Sequence, residues 1–105
     1  MKTITETDYY EQVLNSPTPV LVDFSASWCQ PCQQMTKTLE SLENDYQGQV
    51  NFVKLDIDEC QDVVAQLGVK SIPTLVMIKD GEPTGFVVGM QSRAKLDSIL
   101  KDVVG

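Results

Sequence analysis

The apolar residues of this chain come in short runs whose period changes from one run to the next. Val20-Leu21-Val22-Asp23-Phe24 is apolar on both faces apart from Asp23, the pattern of a central parallel strand covered on each side. Met35, Leu39, Leu42 and Tyr46 then recur at helical spacing, and Gly48 predicts the end of that helix. Val50-Asn51-Phe52-Val53-Lys54-Leu55 reads as the next strand. Strand, helix and strand make a βαβ unit, with parallel strands and a right-handed crossover.

The flanks follow the same logic. Residues 3–6 suit a short edge strand, and Thr7 is placed to cap a helix carrying Tyr10, Val13 and Leu14. Pro17 and Pro19 forbid its continuation. Beyond Leu55, Asp58 with Gln61 three residues on has the form of a helix start. That helix carries Val63, Val64 and Leu67 and stops at Gly68. Thr74 to Ile78 is a strand, Asp80-Gly81 a two-residue hairpin turn, and Phe86-Val87-Val88 the returning antiparallel strand. Ser92 caps a last helix whose Leu96, Ile99, Leu100 and Val103 form one stripe. The order is β-α-β-α-β-α-β-β-α, which predicts an α/β fold with a mixed sheet between helices. No linker, repeat or low-complexity segment interrupts it, so residues 1–105 are expected to form a single domain.

Charge narrows the function. Eight basic against 15 acidic residues give −7, which argues against nucleic acid and against anionic membranes as partners. There is no His, hence no imidazole base or ligand. No apolar run is long enough to span a bilayer, and the first eight residues lack the apolar core of a signal peptide, so a cytoplasmic location is expected. Three cysteines do not suit a disulfide-stapled secreted domain.

Two of those cysteines carry the chemistry. Ser27-Trp28-Cys29-Gln30-Pro31-Cys32 lies where the central strand gives way to a helix. In a reducing cytosol a Cys-x-x-Cys pair there points to a redox-active or metal-binding site ahead of a structural thiol pair. Structural zinc wants four Cys or His ligands, and this chain offers one pair, one distant Cys60 and no His. A thiol at a helix N-terminus is favoured as thiolate by unpaired N–H groups and the helix dipole. Asp23 is the other anomaly, because a buried carboxylate costs several kcal/mol unless it is paired or protonated.

The ordered set Asp23, Trp28-Cys29-x-Pro31-Cys32, Lys54, Ile72-Pro73-Thr74, Gly81 and Gly89 resembles the thioredoxin family, across essentially the whole chain. The chain departs from the family's usual pattern in four places. Gln30 stands where Gly is usual between the cysteines, Gln33 where Lys often follows them, Lys37 where a Pro commonly kinks the helix, and Ser25 where a Trp is often found.

The resemblance implies the thioredoxin fold, a central mixed sheet of about five strands flanked by about four helices. It implies reduction of protein disulfides, with Cys29 the nucleophile and Cys32 the resolving thiol. Asp23 is then a general base, acting through a water, whose pKa burial raises. Lys54 approaches Asp23 and moderates it. Gln30 and Pro31 tune the pair, Pro31 favouring a reducing disulfide. Pro73 follows a cis bond facing the cysteines. Trp28, Ile72, Pro73, Val88, Gly89 and Met90 form an apolar client-binding rim around Cys29. The protein holds no cofactor or metal. It takes electrons from NADPH through a flavoprotein thioredoxin reductase, meets oxidised client proteins and acts as a monomer. Cys60 reads as a spare thiol, the alternative being regulation by oxidation or dimer formation. Two rival functions share the fold. A disulfide oxidase or isomerase commonly carries a His between the cysteines, and a non-catalytic interaction protein would be expected to lose a cysteine or the buried Asp.

Overall fold

All six residues of Val20–Ser25 are buried in strand β2, which requires partners on both edges and both faces. The computed structural model, which describes all 105 residues, supplies them. β2 pairs in parallel with β3 (Asn51–Asp56) and antiparallel with β4 (Thr74–Lys79). The expected central strand is therefore present, but its setting is mixed rather than all parallel. With β1 (Lys2–Thr3) outside β3 and β5 (Glu82–Val88) outside β4, the sheet order is β1-β3-β2-β4-β5.

The alternation of side chains along β2 divides the core in two. Val20, Val22 and Phe24 face one way and join Tyr9, Val13, Cys60, Val63, Val76 and Ile78. That side is covered by α1 (Glu6–Asp8), continued by a π-helical stretch Tyr9–Val13, and by α3 (Gln61–Leu67). Leu21 faces the other way, into a cluster with Met35, Leu39, Leu42, Phe52, Leu75, Leu96 and Leu100. There α2 (Gln30–Glu43) and α4 (Arg93–Val104) cover the sheet. Asp23 shares the parity of Leu21 and so points to the α2 side. This placement fixes what its carboxylate can meet.

Several boundaries differ from the sequence expectations, each for a local reason. The first strand is two residues, not four, because Thr5 leaves it to cap α1 in place of Thr7. The Thr5 hydroxyl accepts from the Asp8 N–H while the Asp8 carboxylate accepts from the Thr5 N–H. The π-helical widening then buries Tyr9 and leaves Tyr10 exposed, the reverse of the 3.6-residue reading. α2 is one uninterrupted helix to Glu43, with Lys37 in its middle. It tightens into a 3₁₀ turn at Asn44–Tyr46, so Gly48 lies past its end, at φ +82°. α3 begins after Cys60 rather than Asp58. Asp56 accepts the Asp58 N–H, and the Asp58 side chain turns elsewhere. β5 starts at Glu82, four residues before the apolar run, because the tight turn starts pairing at once through Lys79 and Glu82. Asp80 and Gly81 both have positive φ, 53° and 78°, as a two-residue hairpin turn of this kind demands. The caps at Gly68 and Ser92 stand where expected.

Candidate active site

β2 runs out at Ser25, and a four-residue turn delivers the chain to α2. Within it the Cys29 N–H donates to the Ala26 carbonyl at 3.1 Å. The Gln33 side chain reaches back to the same carbonyl at 2.9 Å, tying the first turn of α2 to the loop. Cys29 itself is the N-cap residue, and its Sγ accepts the Cys32 N–H at 3.3 Å. A sulfur thus occupies the position where a helix collects negative charge. Pro31 falls in the first helical turn, where the missing N–H leaves no bond unmade.

The two cysteines are joined as a disulfide, with their Cα atoms 5.3 Å apart. Cys29 retains 7% of its surface and Cys32 none. The pair is therefore less open than a surface dithiol, and only Cys29 meets solvent. Trp28 beside it is 67% exposed, and its indole N–H donates to the Asp58 carboxylate at 3.0 Å. Asp58 is a residue that sequence reasoning assigned to a helix cap. Its actual role carried no local signal, since the partner lies 30 residues away.

The Ile72–Pro73 bond is cis. Pro73 is buried, and its carbonyl accepts the Gly89 N–H at 2.8 Å, which ties the residue after β5 to the one before β4. Gly89 has φ +89° and open space where a Cβ would stand, so backbone conformation rather than crowding calls for glycine. Val88 and Met90 are exposed on either side of it. Trp28, Ile57, Val64, Val69 and Ile72 line a groove of about 230 Å³. Ile57 and Ile72 also pack against the disulfide cluster of Ala26, Cys29 and Cys32.

Asp23 is fully buried. Its register partners are Lys54 in β3 and Leu75 in β4. Lys54 is half-buried and makes no ion pair with Asp23, acting on it through space. Burial pushes the carboxyl from 3.8 to about 6, against the opposing pull of a Thr36 hydrogen bond and of Lys54, with Glu40 adding a smaller upward push. The Thr36 hydroxyl donates to Asp23 Oδ2 at 2.6 Å, while Oδ1 has no partner. Thr36 was missed in the sequence, although a signal existed. A polar residue one turn after Cys32, on the apolar stripe of α2, calls for a buried partner, and so does a lone Asp in an apolar strand.

Cys60 is buried and its thiol donates to the Asp56 carbonyl at 3.0 Å, with burial pushing it up to about 11. That suits the spare thiol rather than the reactive one. No group of three or more His, Cys, Asp or Glu side chains is placed to hold a metal ion. No helix is long and apolar enough to cross a membrane.

A redox disulfide on a helix N-cap, set against the central strand of a five-stranded mixed sheet, defines a thiol–disulfide oxidoreductase. The sequence profile of the Thioredoxin family matches residues 1–102. The chain is 42% identical over 96 residues to thioredoxin C-2 of Corynebacterium nephridii, covering 91% of this chain and 89% of that one. It is 40% identical over 97 residues to a thioredoxin of Pseudomonas aeruginosa, covering 92% and 90%. It is 39% identical over 103 residues to a thioredoxin of Alicyclobacillus acidocaldarius, covering 97% and 98%. This chain belongs to the thioredoxin family, and disulfide reduction is the activity that membership carries.

Proposed function

We propose that residues 1–105 act as one monomeric domain in the cytoplasm, reducing the disulfides of client proteins by a two-step exchange. The Cys29 thiolate attacks one sulfur of the client disulfide, and the other leaves as a thiolate. Cys32 then gives its proton, through a water, to Asp23 and attacks Cys29 Sγ. The bond between Cys29 and the client breaks, the second client sulfur leaves with its electron pair, and the Cys29–Cys32 disulfide forms. The client has gained two electrons and this protein has lost them. The observation that carries this assignment is the asymmetry of the pair. Cys29 caps the helix and meets solvent, whereas Cys32 is enclosed and needs a proton acceptor.

Asp23 suits that task, because a carboxyl held near 6 is mostly ionised at neutral pH yet takes a proton readily. Lys54 moderates it. The client strand lies along Ile72, Pro73 and Gly89, with Trp28, Val88 and Met90 as the apolar rim, a reading supported by the exposure of those last three and by the packing of Ile72 against the Cys29–Cys32 cluster. Gln30 and Pro31 tune the exchange. Electrons return from NADPH through a flavoprotein thioredoxin reductase, and no cofactor is held on this chain.

Trapping tests the assignment. Cys32→Ser leaves the attack intact and removes resolution, so it accumulates covalent adducts with an oxidised protein substrate that dithiothreitol releases. Cys29→Ser accumulates none. Adducts on Cys29→Ser with none on Cys32→Ser would reverse the two roles.

A further inference from the structure

Two facts about Asp23 stand apart from the disulfide. Its Oδ2 receives the Thr36 hydroxyl at 2.6 Å, and its Oδ1 is the one buried side-chain polar atom in the protein without a hydrogen bond. A mid-helix threonine ordinarily donates to the carbonyl four residues back. Thr38, on the same helix, does so, to Gln34 at 3.1 Å. Thr36 instead spends its only proton on a carboxylate 13 residues away, across the interface between α2 and β2. Nothing else donates to Asp23. Lys54 on β3 and Glu40 on α2 are the charged groups that act on it, Leu75 opposite it on β4 is apolar, and the oxidised cysteines do not titrate.

We propose that Thr36 is a positioning residue for disulfide exchange, fixing the Asp23 carboxylate so that Oδ2 is occupied and Oδ1 is the oxygen that takes the proton. The inference rests on Asp23 as the proton acceptor for Cys32 and adds the group that orients it. The hydroxyl donates to the ionised carboxylate, so it favours that form and opposes the effect of burial. It also leaves Oδ1 as the one oxygen without a partner, which spares the carboxylate a rotation before it reacts. A threonine filling space alone would do neither.

The test follows the Asp23 carboxyl carbon by NMR against pH in the oxidised protein, alongside the pH dependence of mixed-disulfide decay in the reduced one. Thr36→Val keeps the shape and removes the donor, and its Asp23 inflection moves upward by about one to two pH units, the size of a hydrogen bond to a charged group. Thr36→Ser restores the donor and returns the inflection to the wild-type position. Thr36→Ala replaces Thr36→Val if the latter does not fold. In the decay kinetics, Thr36→Val shows the same upward displacement at unchanged attack rate. An Asp23 inflection in Thr36→Val equal to that of wild type overturns the inference. The underlying assignment has a separate test: if Asp23→Asn leaves the decay rate and its pH profile as in wild type, Asp23 is not the acceptor, whatever Thr36 does to its titration.

Discussion

At the scale of the residue, the proton-accepting role proposed for Asp23 sets stability against chemistry. Its carboxyl lies at about 6 in the folded protein and near 3.8 when the chain unfolds. The folded state therefore binds this proton more tightly, and the contribution to stability is fully present below pH 4 and lost as pH rises through 6. Above that, the ionised buried group costs about 3 kcal/mol relative to a neutral one, from about 1.36 kcal/mol per pKa unit. Asp23→Asn is expected to raise the urea midpoint at pH 8 and to lose most of that advantage at pH 4. Equal stabilisation at both pH values would mean that Asp23 does not titrate in this window. A destabilised variant at pH 8 would mean that the carboxylate is better satisfied than a single hydrogen bond from Thr36 allows. Slower resolution by Cys32 in the same variant would tie the energetic cost to the catalytic step.

At the scale of the element, the turn between β4 and β5 carries a constraint that its sequence only half discloses. Asp80-Gly81 reads as a hairpin turn from residue type alone, and both positive φ angles follow. What the sequence does not disclose is that a Cβ on Gly81 would stand 2.9 Å from the Leu14 carbonyl, in the segment after α1. Gly68 has a similar φ of +72° with nothing near its missing Cβ. Gly68→Ala is therefore expected to cost about 1 kcal/mol, the left-handed conformation alone. Gly81→Ala adds a backbone clash and should cost roughly 2–3 kcal/mol, read as a lower denaturant midpoint. Equal costs would show that the Leu14 loop yields. The same division runs through the whole fold. Periodicity located the central strand, α2 and α4 because their burial follows one-dimensional rules, as did the caps at Ser92 and Gly68. It failed at Tyr9 and Tyr10, where a π-helical turn changes the period, and at Asp58, whose carboxylate is claimed by Trp28 rather than by α3. At the site, Cys29, Cys32 and Asp23 were legible as local misfits. Thr36 was not singled out, because its partner is fixed by which face of β2 each residue takes and by how α2 lies across it.

At the scale of the whole molecule, the remaining variable is how reducing the pair is, and charge bears on it. Stabilising the Cys29 thiolate stabilises the reduced protein and makes the disulfide more oxidising. Here the stabilising groups are few: the helix N-terminus and the Cys32 N–H at 3.3 Å. Gln30 and Pro31, the two residues between the cysteines, are neutral. Eight basic residues against 15 acidic give a net −7, a field that opposes a further anion. Each of these facts favours a reducing pair. Equilibration of Cys29/Cys32 with a glutathione or dithiothreitol series is expected to place the potential near the family's reference value of about −270 mV, far from the −120 mV or so of a strong oxidant with this fold. Gln30→His adds a titratable cation at the first position of α2 and should move the potential upward by about 30 mV, a tenfold change in the exchange constant. The increment should shrink as pH rises and the imidazole loses its proton. A wild-type value well towards that of the oxidant would reassign this chain to disulfide formation or isomerisation. An unchanged potential in Gln30→His would mean that backbone N–H groups, rather than the side chain between the cysteines, set the poise of the pair.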